Sequence, residues 1–176
     1  MNNHTVREFG LLEEGLVERV SAFLYHEARL LDHQELAGWL ELLSEDIVYS
    51  IPVRTTREAT NERGFSTTSF FLDDDYPSMK TRVMRLQSDS AWSEHPATRT
   101  RRMVGNIQIL SANPDAVECA SNLAVYCYRG DASTPIVVTA ERLDRLTRKE
   151  ERWKLSRRMV LLDSTVLGLE SLSIFL

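Results

Sequence analysis

The chain has 176 residues, 43% of them hydrophobic and 27% charged, which suits one globular domain over residues 1–176 and excludes a disordered or fibrous class. No apolar run approaches the ~18–20 residues that span a bilayer. Met1 to Glu8 lacks the basic and apolar blocks of a signal peptide, so a cytoplasmic protein without a membrane partner is expected.

The net charge of −5 is unevenly distributed. Residues 1–75 balance at −9 and residues 76–176 at +4. Opposed charge of this kind suits head-to-tail association between copies, though plain solvated charge is the commoner reason for it.

Glu13 to Asp32 reads as an amphipathic helix, with Leu16, Val20, Phe23, Leu24 and Leu31 at helical spacing and Val17 and Ala28 widening the stripe. Gln34 to Leu43 repeats the signal through Leu36, Trp39, Leu40 and Leu43, with Asp32 as its expected N-cap. The period then shortens: Ile47 to Val53 is a β-rich run, with Pro52 marking an edge or an end. Residues 54–75, rich in Arg, Thr and Glu, read as a long polar loop of the functional or interfacial kind. Pro77 to Gln87 predicts a third helix with Met79, Val83, Met84 and Leu86 as its apolar positions.

From Arg102 onward the signal is strands. Met103 to Ala112 leads into a turn at Asn113-Pro114-Asp115. Ala116 to Arg129 follows, with Val117, Cys119, Leu123, Val125 and Cys127 on one face; then Pro135 to Leu146, and Trp153 to Leu162 with Trp153, Leu155, Met159 and Leu161 alternating. Long strands joined by short polar turns predict an antiparallel meander. Helices first and sheet second define an α+β domain, a cystatin-like or nuclear-transport-factor-like cone in which a curved antiparallel sheet wraps the N-terminal helices. The apolar end, Ile174-Phe175-Leu176, is expected to dock either in its own core or in a neighbour.

Cys119 and Cys127 lie roughly 26 Å apart along an extended strand, too far to bridge, and read as buried apolar residues. Of four histidines, His4, His26, His33 and His95, only His26 and His33 could share a helix face, and His33 sits where that helix ends. Neither cysteine has a His close in sequence, so no metal is expected on this chain. No phosphate-binding glycine loop and no nucleophile elbow is present. Acid–base chemistry in the mouth of a cone would draw on His26, Asp46, Tyr49 and Tyr126. Arg99-Thr100-Arg101-Arg102 lacks the interleaved aromatics of a nucleic-acid platform and reads as interfacial or structural ion pairing. The bases from Arg142 to Arg158, mixed with Glu141, Asp144, Glu150 and Glu151, read as a solvated sheet face.

Four stretches in chain order carry a family likeness. They are Glu27 to Asp32 with Trp39-Leu40 and Asp46 to Val53; Asp74-Asp75 with Arg82-Val83 and Arg85-Leu86; Ala91 to Arg101 leading into Val104 to Ile107; and Leu172 to Leu176. The chain resembles the small, or β, subunit of Rieske-type aromatic-ring-hydroxylating dioxygenases. Arg102 stands where relatives often have His, and Gly105 where Ser is common.

The resemblance implies a non-catalytic structural subunit of an enzyme that cis-dihydroxylates an aromatic compound. A large catalytic oxygenase subunit would carry the Rieske [2Fe-2S] cluster and the mononuclear iron. Copies of this chain would form a trimer within an α3β3 hexamer. Trp92, Arg99, Arg101, Arg102, Phe175 and the 54–75 loop are the expected subunit contacts, by ion pairing for the arginines and anchoring for the aromatics. The alternative is a stand-alone isomerase or dehydratase of the same fold.

Overall fold

The computed structural model describes residues 14–55, 64–87, 98–150, 152–166, 168 and 174–176. Gly15 opens the first helix from the left-handed region (φ 75°), which glycine adopts without steric cost. Helix α1, Leu16–Asp32, buries Leu16, Val20, Leu24, Ala28 and Leu31 along one stripe. Helix α2 is shorter than the periodicity suggested, Leu36–Leu40, because the chain turns at Glu41 and Leu42 and Leu43 already belongs to a strand. Glu35, not Asp32, occupies the N-cap of α2; Asp32 ends α1 and bonds elsewhere.

Strand β1, Leu43–Arg54, pairs antiparallel with β2, Phe65–Asp74. The expected 54–75 loop therefore contains a strand. It escaped the periodicity because β2 is an edge strand, mostly solvent-exposed, and shows no inside–outside alternation. Pro52 sits where the β1–β2 register slips, a bulge position that tolerates its missing N–H. Helix α3, Tyr76–Leu86, starts at Asp75, whose carboxylate accepts from the Ser78 N–H at 2.9 Å, with Pro77 in the first turn.

Strands β3 (Arg99–Ala112), β4 (Ala116–Tyr128), β5 (Ile136–Lys149) and β6 (Arg152–Leu162) form the antiparallel meander. Asn113 closes the β3–β4 turn by accepting from the N–H groups of Asp115 and Ala116, both at 2.9 Å. Sheet order is β2-β1-β6-β5-β4-β3, and the β1–β6 pair is parallel, so the sheet is mixed. A parallel seam is possible there because β1 and β6 are joined through the whole intervening chain, with no hairpin constraint.

The curved sheet encloses α1, α2 and α3 in a cone whose core runs from Leu16, Val20 and Leu24 through Trp39, Ile47, Tyr49 and Ile51 to Val125, Leu146, Leu155 and Leu162. On β4, Val117, Cys119, Leu123, Val125 and Cys127 all face inward, with Ser121 among them. On β6 the expected phase holds at Trp153, which packs against the core, and at Leu155, and Leu161 is buried as well. A register shift against β5 then turns Arg158, Val160 and Leu162 inward and leaves Met159 on the other side.

Candidate functional site

The cone encloses charge. Glu27 interrupts the apolar stripe of α1 and is 1% exposed. Arg142 and Asp144 share the inward phase of β5 with Val138, Ala140 and Leu146, and Arg158 shares that of β6 with Val160. The four side chains converge. Arg158 donates Nη1 to Glu27 Oε1 at 2.6 Å and Nη2 to Glu27 Oε2 at 2.8 Å. Its Nε and Nη2 reach the two oxygens of Asp144, both at 2.8 Å. Arg142 adds a bond to Glu27 at 3.3 Å and another to Ser121, and Trp39 Nε1 donates to Glu27 at 3.2 Å.

Two acids and two arginines make the cluster neutral, the condition under which charges are tolerated away from water. Burial pushes the Glu27 carboxyl up, but Arg158 and Arg142 outweigh it and hold the group at about 2. Burial lowers Arg158 too, yet Asp144 and Glu27 keep it well above its ordinary value. Arg142 is drawn down by burial and by the neighbouring Arg158.

The segment 174–176 lies on this cluster. Leu176 is fully buried, its main-chain oxygen accepting from Arg158 Nη1 at 3.2 Å and from the Tyr49 hydroxyl, and its N–H donating to the Tyr49 oxygen at 2.9 Å. Burial raises the Tyr49 phenol, so it remains a neutral donor. Phe175 packs on Trp39 with ring centroids 4.2 Å apart, and its carbonyl accepts from Arg102 Nη2 at 2.5 Å. Of the two dockings open to the tail, its last three residues take their own core.

A second constellation joins α1 to β3. Asp32 accepts from Arg102 Nη1 at 2.6 Å, the Arg102 N–H at 2.9 Å and the Thr100 hydroxyl at 3.0 Å. Arg101 stands 4.0 Å away with its side chain 69% exposed. Beside it lies a depression of about 240 Å³ bordered by Tyr25, Arg29, His33 and Arg101.

The residues expected at subunit contacts therefore separate. Arg99 and Arg101 are exposed, Arg99 donating to the Gly130 carbonyl at 3.0 Å. Arg102 and Phe175 point inward, and both are tied into the chain's own interior. Trp92 lies outside the described residues.

The four acid–base candidates do not come together. His26 is exposed on α1, Asp46 bonds Ser44 and Lys149 on an exposed stretch of β1, Tyr126 is 39% exposed on β4, and Tyr49 is buried against Leu176. The solvated reading of the 142–158 hairpin fails at Arg142, Asp144 and Arg158. The available signal was their in-phase position with valine, alanine and leucine.

Among the described residues no group of three or more His, Cys, Asp or Glu is placed to hold a metal ion. The buried carboxylates suit iron poorly, since guanidinium groups within 3 Å occupy their oxygens and repel a cation. Both cysteines are free and buried, and burial followed by the nearby Asp144 pushes the Cys119 thiol up to about 12, the opposite of a ligating thiolate. These residues do not fit a Rieske cluster or a mononuclear iron. No described helix is long and apolar enough to cross a membrane.

Fold and interior together define a cone-shaped α+β domain that, among the described residues, buries an ion cluster with residues 174–176 packed on it. Residues 26–168 match the family described as ring hydroxylating beta subunit. The benzene 1,2-dioxygenase subunit beta of Pseudomonas putida is 36% identical over 166 residues, spanning 91% of this chain and 88% of that protein. The biphenyl 2,3-dioxygenase subunit beta of Rhodococcus jostii is 33% identical over 170 residues, spanning 93% and 90%. A solved structure of naphthalene 1,2-dioxygenase with indole in its active site superposes with a TM-score of 0.83 at 25% identity, covering 96% of this chain and 89% of that one. The chain belongs to the ring-hydroxylating dioxygenase small-subunit family.

Proposed function

We propose that the chain is a single-domain, non-catalytic supporting subunit of a multicomponent dioxygenase that cis-dihydroxylates an aromatic compound in the cytoplasm. A large partner subunit carries the Rieske cluster and the mononuclear iron, and three copies of each form the hexamer. The observation that carries this reading is the buried, charge-neutral ion cluster with residues 174–176 packed on it. The place where a cone of this kind could hold a reacting molecule is filled by Glu27, Asp144, Arg142 and Arg158 and capped by residues 174–176. Support for a partner role comes from the kinship to dioxygenase beta subunits and from the exposed Arg99 and Arg101 at one edge of the sheet. Trp92 is included in that contact surface on the strength of the resemblance.

Co-expression with a large Rieske oxygenase subunit tests the proposal by complex mass, iron content and oxygenation, with and without this chain. Iron should follow the large subunit, and the complex should have the mass of three copies of each. Turnover of a substrate by the purified chain alone would overturn the reading in favour of an isomerase or dehydratase.

A further inference from the structure

Phe175 is held in the cone as a ligand is held in a pocket. Its ring lies against Trp39, which is fully buried, at an interplanar angle of 31°, with the Arg82 guanidinium 4.9 Å from the ring centroid. Its carbonyl takes Arg102, and the next residue takes Tyr49 and Arg158. These five side chains come from α2, α3, β3, β1 and β6, so the receiving site is assembled by the whole fold and not by the tail.

The site offers more than a peptide carbonyl needs. Arg102 gives Nη1 to the Asp32 carboxylate and Nη2 to the neutral Phe175 carbonyl, and the buried Nε on the same edge as Nη2 has no hydrogen-bond partner among the described residues. A carboxylate in place of that carbonyl has a second oxygen to offer the guanidinium edge, and charge-assisted bonds of this kind are roughly twice as strong as neutral ones. Phe175 itself supplies the template for such a molecule. Ring, Cβ, Cα and carbonyl carbon are, atom for atom, a 3-phenylpropanoyl group.

We propose that the interior of the cone is a binding site for a 3-arylpropanoate, with residues 174–176 as its built-in occupant. The aryl ring takes the place between Trp39 and Arg82, and the carboxylate takes the Phe175 carbonyl position on Arg102 and engages its Nε. The tail is a competing internal ligand, so the affinity of the intact chain is reduced by the small fraction of molecules in which the tail is out.

The test titrates 3-phenylpropanoate against the full chain and against a chain ending at Ser173, by calorimetry and by thermal unfolding. The shortened chain should bind and unfold at a higher temperature with ligand, and the full chain should bind about 100-fold more weakly or worse. 3-Phenylpropanol, which keeps the ring and lacks the charge, should bind the shortened chain about 10-fold more weakly than the acid. A folded shortened chain that ignores 3-phenylpropanoate, or that binds acid and alcohol alike, overturns the proposal. Should the shortened chain not fold, full-length Phe175→Ala decides. Loss of the ring leaves an aromatic-lined void, and ethylbenzene must raise the unfolding temperature of that variant; no rise overturns the proposal.

Discussion

Arg158 donates all five of its N–H groups inside the cone, and the two that reach Glu27, at 2.6 and 2.8 Å, tie β6 to α1 across the core. The remaining bonds go to Asp144 and to the Leu176 main-chain oxygen. No donor of this guanidinium is left over, which is how a charge becomes tolerable at 0% exposure. Glu27→Gln keeps the shape and removes the charge, leaving Arg142 and Arg158 with Asp144 alone. Stripping one member from a buried ion pair costs about 3–5 kcal/mol. Urea unfolding of the two proteins should show a loss of that order with unchanged m-value, and a loss below about 1 kcal/mol would refute the neutrality argument.

The same carboxyl sets an acid limit. Its folded value of about 2 lies below its ordinary 4.5, so the folded state binds this proton less readily than the unfolded state does. The stabilisation is therefore fully present above pH 4.5 and disappears as pH falls from 4.5 toward 2. Its size is about 3 kcal/mol by linkage. Asp46 and Asp75 are also held below their ordinary values, each first by a side-chain hydrogen bond, but they are exposed and common to both proteins, so they cancel. The stability difference between wild type and Glu27→Gln should shrink steadily over that interval. A difference that stays constant from pH 5 to pH 2.5 would place the linkage on other groups.

Much of this cone is legible in the sequence where one face is wet and the other dry. The stripe Leu16, Val20, Leu24 on α1 and the alternation Val117 to Cys127 on β4 predict their burial because each has a polar counter-face. Edge strand β2 lacks that contrast and reads as loop. The ion cluster was hidden for a different reason. A charged residue in an apolar phase is ordinarily assigned to solvent, and only the convergence of Glu27, Asp144, Arg142 and Arg158 from three elements makes their burial affordable. Such convergence is a property of tertiary packing, and no local window contains it. The switch of phase on β6 depends likewise on a register shift between strands.

Adjacent arginines on β3 should separate folding from assembly. Arg102 bonds Asp32 and the Phe175 carbonyl from a buried position, whereas Arg101, 4.0 Å from the same carboxylate, keeps its side chain 69% exposed. Arg102→Ala should destabilise the isolated chain by about 3 kcal/mol or more, because it leaves Asp32 short of its cation and unfastens the tail. Arg101→Ala should change the stability of the isolated chain by less than about 0.5 kcal/mol, as exposed substitutions do. If Arg101 belongs to the partner contact, the same substitution should weaken the complex and lessen the salt dependence of its assembly, read by sedimentation across an ionic-strength series. An assembly constant that is unmoved at low salt would remove Arg101 from the contact.

Both thiols should be silent in the native protein. Burial, then the negative charge of Asp144, pushes Cys119 up to about 12, and burial raises Cys127 in the same direction. The reacting species is the thiolate, so at pH 8 each residue is protonated as well as inaccessible. A thiol reagent should therefore titrate neither cysteine in the folded chain and both in denaturant. Native reaction should proceed only through opening of the core, at a rate that rises as stability falls. In Arg102→Ala, whose lost cation otherwise lies near Cys127, the reaction of Cys127 should accelerate in proportion to the measured destabilisation. Fast native labelling of either residue, indifferent to added denaturant, would contradict the inward phase of β4.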